Sequence, residues 1–137
     1  MGTIVTDRPT MTTVAGRPVG ELPACRLRRV TQYIQDNLHR ELRLAELSGQ
    51  VHMSPYHFAR LFKRSTGTPP HRFVLRRRIE RAITLLTTGE LSIGEVARVV
   101  GFRTTSHFTT VFRRTTGTTP SVYRIGRATA RPDDRAT

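Results

Sequence analysis

The segment HFARLFKRSTG at residues 57–67 returns as HFTTVFRRTTG at 107–117, so a chain of 137 residues carries two copies of one helical unit. Six pairs are identical: His57/His107, Phe58/Phe108, Phe62/Phe112, Arg64/Arg114, Thr66/Thr116 and Gly67/Gly117. Leu61/Val111, Lys63/Arg113 and Ser65/Thr115 are conservative, and only Ala59/Thr109 and Arg60/Thr110 change character. Phe58, Leu61 and Phe62 stand at i, i+3 and i+4, on one face of a helix, as do Phe108, Val111 and Phe112. That shared face is predicted to pack. Tyr56, Arg60 and Lys63 occupy the opposite face, matched by Ser106, Thr110 and Arg113. The copies keep a scaffold and differ where a partner would touch.

Helical grammar extends around the repeat. A first helix is predicted from near Pro23, a residue tolerated at a first helical position, with Leu27, Val30, Ile34 and Leu38 as its apolar stripe. A short helix over Leu44 to Val51 follows, and then Ser54-Pro55 reads as an N-cap and first helical residue for the first repeated helix, which Gly67 ends. Leu75, Ile79, Ala82, Ile83 and Leu86 predict one long amphipathic helix over Pro70 to Thr87, a spacer of roughly 27 Å at the rise of an α-helix. Thr88-Gly89 breaks it. Ser92 and Glu95 form a capping box for a second short helix running to about Val100. The first copy has Glu46 but Arg43 in place of the serine, so its first unit is expected to be less stable by about 1 kcal/mol. In the second copy Ala97 and Gly101 supply the small crossing residue and the left-handed turn of a helix-turn-helix, with Phe102 beneath. The first copy has Ser48, His52 and Met53 there and must turn without glycine. A one-residue length difference between the copies falls in this turn.

The chain has 23 Lys+Arg against 10 Asp+Glu, a formal charge of +13, which points to a polyanionic partner such as nucleic acid or an anionic membrane surface. Residues 1–20 contribute +1 and residues 124–137 contribute +2, which leaves +10 in the foldable segment 21–123. Lys63 is the only lysine; codon usage explains that bias as readily as phosphate forks, so the net charge carries the argument. One cysteine, Cys25, excludes an intrachain disulfide and a multi-cysteine zinc site. No apolar run approaches a membrane span and the start lacks a signal-peptide core, so a cytoplasmic protein without a membrane partner is expected. His57 and His107 lie in separate units and make no metal pair. Ser54, Asp36 and the histidines form no catalytic arrangement, so neither enzymatic activity nor a cofactor is expected.

Ser54-Pro-Tyr-His-Phe-Ala-Arg-Leu-Phe-Lys-Arg, followed by Thr-Gly-Thr-Pro-Pro, RRRIERAITLL, SIGEVARVVGF and HFTTVFRRTTGTTPSVYR, resembles the DNA-binding domain of AraC/XylS-type bacterial transcription regulators over residues 23–125. The resemblance implies an all-α fold of about seven helices, two helix-turn-helix subdomains joined by a long linking helix. Its parts would be a flexible segment 1–20, a first subdomain 21–69, a linking helix 70–87, a second subdomain 88–126 and a flexible tail 127–137. It further implies recognition helices entering successive major-groove segments of double-stranded DNA. Carried over by position, Tyr56, Ala59, Arg60, Thr105, Ser106, His107 and Thr110 face bases. Many members have arginine where this chain has Thr110. Among the remaining exposed polar residues, Ser54, Lys63, Arg64, Arg103, Arg113 and Arg114 are placed on the DNA backbone, because contacts near helix ends position without specifying. Arg76, Arg77, Arg78 and Arg81 read either as further backbone contacts or as a solvated face in which Glu80 pairs locally.

The expected function is that of a sequence-specific transcription regulator on the nucleoid, an activator or a repressor, that contacts RNA polymerase or competes with it and binds DNA as a monomer on an asymmetric pair of boxes about one helical turn apart. The chain is either a stand-alone regulator or a fragment without a sensor domain. The alternatives are a nucleoid-associated protein binding DNA or RNA through charge alone and a module docking on an acidic protein. Distinct Arg60 and Thr110 surfaces argue against the first, since backbone binding needs no such difference.

Overall fold

Proline and serine punctuation sets the element order. The computed structural model describes residues 20–126, so the expectations for a flexible start and a flexible tail fall almost wholly outside the described residues. These fold into α1 (Ala24–Asp36), α2 (Leu44–Gly49), α3 (Pro55–Thr66), α4 (Pro70–Thr88), α5 (Ile93–Val99), α6 (Thr105–Thr116) and a last helix, α7, over residues 120–126. The all-α architecture of seven helices agrees with the sequence reading, and the described residues contain no strand. None of these helices is long and apolar enough to cross a membrane.

The chain divides into two compact units. Among the described residues, the first takes in 20–36 and Leu42–Phe73, the second Asn37–Glu41 and 74–126. In the first unit α1 buries Val30 and Ile34, α2 buries Leu47, and α3 buries Phe58 and Phe62. Phe73, in the first turn of α4, stands edge-on to Phe62 at 5.1 Å between ring centroids. The Tyr33 hydroxyl donates to the Glu46 carboxylate, which ties α1 to α2. The Leu22 amide donates to Ser65 Oγ at 2.8 Å, so the residues before α1 are held at the end of α3.

The second unit repeats the plan. Ile79, Ala82 and Leu86 of α4 pack with Val96, Ala97, Val100, Phe102, Phe108, Val111 and Phe112 in one core. Tyr123 of α7 takes the place of Phe73, edge-on to Phe112 at 5.6 Å. The likeness runs past the repeat seen in the sequence, because the Thr66 and Thr116 hydroxyls each accept the Thr68 or Thr118 amide and lie within donating reach of a phenylalanine carbonyl (Phe62, Phe112). Each unit thus ends its third helix with the same threonine bracket. Arg124 donates to the Leu86 and Leu91 carbonyls, at 3.4 and 2.5 Å, and so satisfies an orphan carbonyl in the last turn of α4.

Two expectations need correction. Leu38 is buried as expected, but it lies beyond the end of α1 and belongs to the second unit. Arg78 is no surface cation, being only 9% exposed. Its Nε donates to the Leu38 carbonyl at 3.2 Å and its Nη2 to the Arg40 carbonyl at 2.7 Å, with the guanidinium 5.9 Å from the Phe102 ring centre. Burial pulls its pKa below the usual arginine range. The spacing 74, 78, 82, 86 puts Arg78 on the buried stripe of α4 with Val74, Ala82 and Leu86, and that spacing is the signal that would have found it.

The helix starts differ as the sequence predicts. Ser92 Oγ accepts the Glu95 amide at 3.1 Å and Glu95 Oε1 accepts the Ser92 amide at 2.8 Å, a complete capping box. Arg43 has no acceptor to offer, so α2 keeps only the reciprocal half, from the Arg43 amide to Glu46 at 3.5 Å. Hydrogen bonding from the Ser92 amide, then from its hydroxyl, with Arg98 nearby, holds the Glu95 carboxyl below its usual pKa. A depressed carboxylate pKa adds stability that is present at neutral pH and lost as pH falls through and below the ordinary carboxylate range. Ser92→Ala is expected to cost about 1 kcal/mol and to weaken this acid dependence, which urea unfolding at neutral and acid pH would measure.

Candidate nucleic-acid interface

Two helices of 12 residues each, α3 and α6, carry the candidate residues, and their starts are built alike. Ser54 caps α3 through the His57 amide at 3.2 Å and Thr104 caps α6 through the His107 amide at 3.0 Å, each with extended backbone. Gly67 and Gly117 end them in the left-handed conformation at φ 81° and 88°. Because the caps fix both ends and the phenylalanine pairs fix the rotation, the opposite face of each helix must point outward.

Tyr56, His57, Arg60, Lys63 and Arg64 are exposed along α3, as are Thr105, Ser106, His107, Thr110, Arg113 and Arg114 along α6. Ala59 and Thr109, at matched positions, are half-buried and form the edge of the face. Tyr56 is 73% exposed, a large aromatic surface left in solvent. The Arg60 guanidinium lies over its ring, 5.8 Å from the centroid. This cation–π contact holds a long side chain on the outward face, and the sequence reading did not find it; the i, i+4 spacing of the two residues was its signal.

The other candidates have more varied surroundings. Ser54 Oγ accepts the cap bond, so its hydrogen is left to donate outward. The His107 ring stands edge-on to Phe102 at 5.2 Å, so the side chain is partly committed to the turn below it. The Arg64 guanidinium lies against Gly20, where any Cβ would collide with it. Lys63, Arg64, Arg113 and Arg114 occupy the last turns of their helices, where cations also favour the helix dipole. Arg103 is exposed and is the residue by which the second turn is longer, since the caps of α2 and α5 are 49 apart and those of α3 and α6 are 50 apart.

The turns differ as the sequence foretold. Gly101 sits at φ 100° and the Phe102 amide bonds back to the Ala97 carbonyl at 2.9 Å. In the first unit His52 makes the same excursion at φ 57°, and the Met53 amide bonds to the Ser48 carbonyl at 3.1 Å. On α4, Arg77 pairs with Glu80 at 3.0 Å while Arg76 and Arg81 are exposed, so of that cluster Arg77 follows the solvated reading. Among the described residues no group of three His, Cys, Asp or Glu side chains is placed to hold a metal ion. The single cysteine, Cys25, is exposed.

A family model described as a helix-turn-helix domain matches residues 47–125, more than half of the chain. The regulatory protein PocR of Salmonella typhimurium is 34% identical over 104 residues, covering 75% of this chain and 34% of its own. The XylDLEGF operon transcriptional activator 2 of Pseudomonas putida is 36% identical over 77 residues, 54% of this chain and 49% of its own. The chain therefore spans about a third to a half of these relatives. Among solved structures, the DNA-binding domain of AdpA, a global transcriptional factor captured with a target DNA, superposes with a TM-score of 0.74 at 32% identity, covering 77% of this chain and 96% of that one. An AraC-type regulator from Chromobacterium violaceum gives 0.72 at 28% identity, with 77% and 94% covered. With two capped helices outward over repeated phenylalanine cores, the chain belongs to the helix-turn-helix family of AraC-type DNA-binding domains.

Proposed function

We propose that the chain is the DNA-reading part of a bacterial transcription regulator, binding a defined duplex sequence through the outward faces of α3 and α6. The observation that carries this reading is the pairing of a shared scaffold with unlike faces: the phenylalanine cores match, whereas Tyr56 and Arg60 on α3 face solvent where α6 presents Ser106 and Thr110. A protein that held only phosphates would have no use for that difference. A helix fits the major groove, where an arginine forks onto guanine and a threonine offers one hydroxyl and a methyl group. Arg60 is the strongest base reader, Tyr56, Ala59, Thr105, Ser106, His107 and Thr110 complete the base-facing set, and Ser54, Lys63, Arg64, Arg103, Arg113 and Arg114 hold the backbone.

Two unlike reading helices in one chain make a single copy sufficient for an asymmetric site. The regulator acts on the nucleoid in the cytoplasm by contacting RNA polymerase, and it performs no chemistry of its own. Arg60→Ala is expected to cost about 1 to 3 kcal/mol and to relax base preference within one box only. Thr110→Ala is expected to cost less. Arg113→Ala should weaken all sequences alike and lower the salt slope by about one unit. Binding of each variant to a panel of single-base-substituted sites, with circular dichroism to confirm folding, reads all three. An Arg60→Ala protein that binds every site as the parent does would overturn the assignment.

A further inference from the structure

The hydroxyls on the outward face of α6 make no bond back to their own helix, as many threonines in this protein's helices do. Thr66, Thr84, Thr87, Thr88 and Thr116 each turn the side-chain oxygen onto a carbonyl of the preceding turn. Thr110 makes no such bond to the Ser106 carbonyl, four residues back; the side chains of Thr105 and Ser106, like those of Thr109 and Thr115 on the same helix, also have no hydrogen bond among the described residues. Thr105 is fixed at the first position of α6, its hydroxyl beside Gly94, where a Cβ would touch it at 3.5 Å. All three are exposed, and the face they form carries no cation until Arg113 in the last turn. On α3 the corresponding face holds Arg60 over Tyr56.

These surfaces ask for different base edges. A guanidinium fork matches the N7 and O6 acceptors of guanine, whereas a threonine methyl matches the C5 methyl of thymine and its hydroxyl can serve either base of the pair. Resting on the reading of the chain as a DNA-binding regulator, we propose that the two units read chemically different boxes: α3 takes a guanine through Arg60, and α6 takes thymines through the methyl groups of Thr105 and Thr110. The second box is thus rich in A·T pairs and is read largely by shape and methyl contact, with Ser106 adding a hydroxyl.

The test uses the full chain and duplexes enriched from a random pool at physiological salt. In the enriched duplex each thymine is replaced singly by deoxyuridine, which removes only the methyl group, and each guanine by 7-deazaguanine, which removes only the N7 acceptor. Deoxyuridine at one or two positions is expected to weaken the parent about fourfold each, the worth of one buried methyl group. At each such position that sensitivity should vanish in one of the variants Thr105→Ser and Thr110→Ser, which keep the hydroxyl, and persist in the other and in Arg60→Ala. Conversely, 7-deazaguanine at one position should cost about tenfold, in the parent and in both serine variants but not in Arg60→Ala. The proposal is overturned if no deoxyuridine weakens binding, or if at every sensitive position the effect survives in both serine variants; sequence preference, and with it the regulator reading, would then still stand. A pool that enriches no sequence would sink both.

Discussion

Raising salt from 50 to 200 mM is expected to weaken duplex binding about 10³ to 10⁵ fold, the loss that follows when about 6 to 10 phosphates are neutralised. The charge for such a footprint sits in the folded part, since +10 of the +13 falls between residues 21 and 123. Not all of it is available. Arg78 donates to the Leu38 and Arg40 carbonyls, and Arg77 is paired with Glu80. Of the exposed cations, Arg60, Lys63, Arg64, Arg103, Arg113 and Arg114 lie on or beside α3 and α6 and Arg76 and Arg81 on α4, enough for a footprint of that size. A titration series across that salt range gives the slope, and a slope near zero would mean that these cations do not meet phosphates.

The second large effect concerns stability. Gly101→Ala is expected to destabilise the second unit by about 2 to 5 kcal/mol, combining a strained backbone with an overpacked turn. At φ 100° a side chain is disfavoured, and a Cβ there would collide with the Leu38 carbonyl oxygen, a backbone atom, and press on the Arg78 guanidinium. The Leu38 carbonyl is itself an acceptor for Arg78, so displacing it would also loosen that bond. Gly117→Ala provides the comparison, because Gly117 has φ 88° but nothing within 4 Å of an added Cβ. It should cost only about 1 kcal/mol. Urea unfolding followed by circular dichroism separates the two, and equal losses would show that the Leu38 approach carries no energy.

The parts of this fold that were legible in the sequence are those written in local spacing. Ser54-Pro55, Ser92 with Glu95, and Gly67 with Gly117 each act within one helical turn, and each stands where its pattern placed it. The outward faces followed from the same rule, because helical spacing sets them opposite Phe58/Phe62 and Phe108/Phe112. The contacts that were not legible join distant parts of the chain. Arg78 reaches carbonyls 38 and 40 residues away, and Arg124 reaches carbonyls 33 and 38 residues away; an arginine in a basic run reads as surface until its acceptors are known. The stack of Arg60 on Tyr56 is local but depends on side-chain rotamers, which periodicity does not set. Leu38 failed for a related reason: its apolar spacing continues the stripe of α1, but the helix ends at Asp36 and the residue packs in the second unit.

The central claim is that unlike faces on like scaffolds read a sequence, and competition between a selected duplex and random duplex at physiological salt tests it most directly. With the selected site labelled and random duplex added as competitor, the account predicts a preference of about 10³ or more. Displacement at equal concentrations of selected and random competitor would contradict it, and would leave a protein that holds DNA by charge alone.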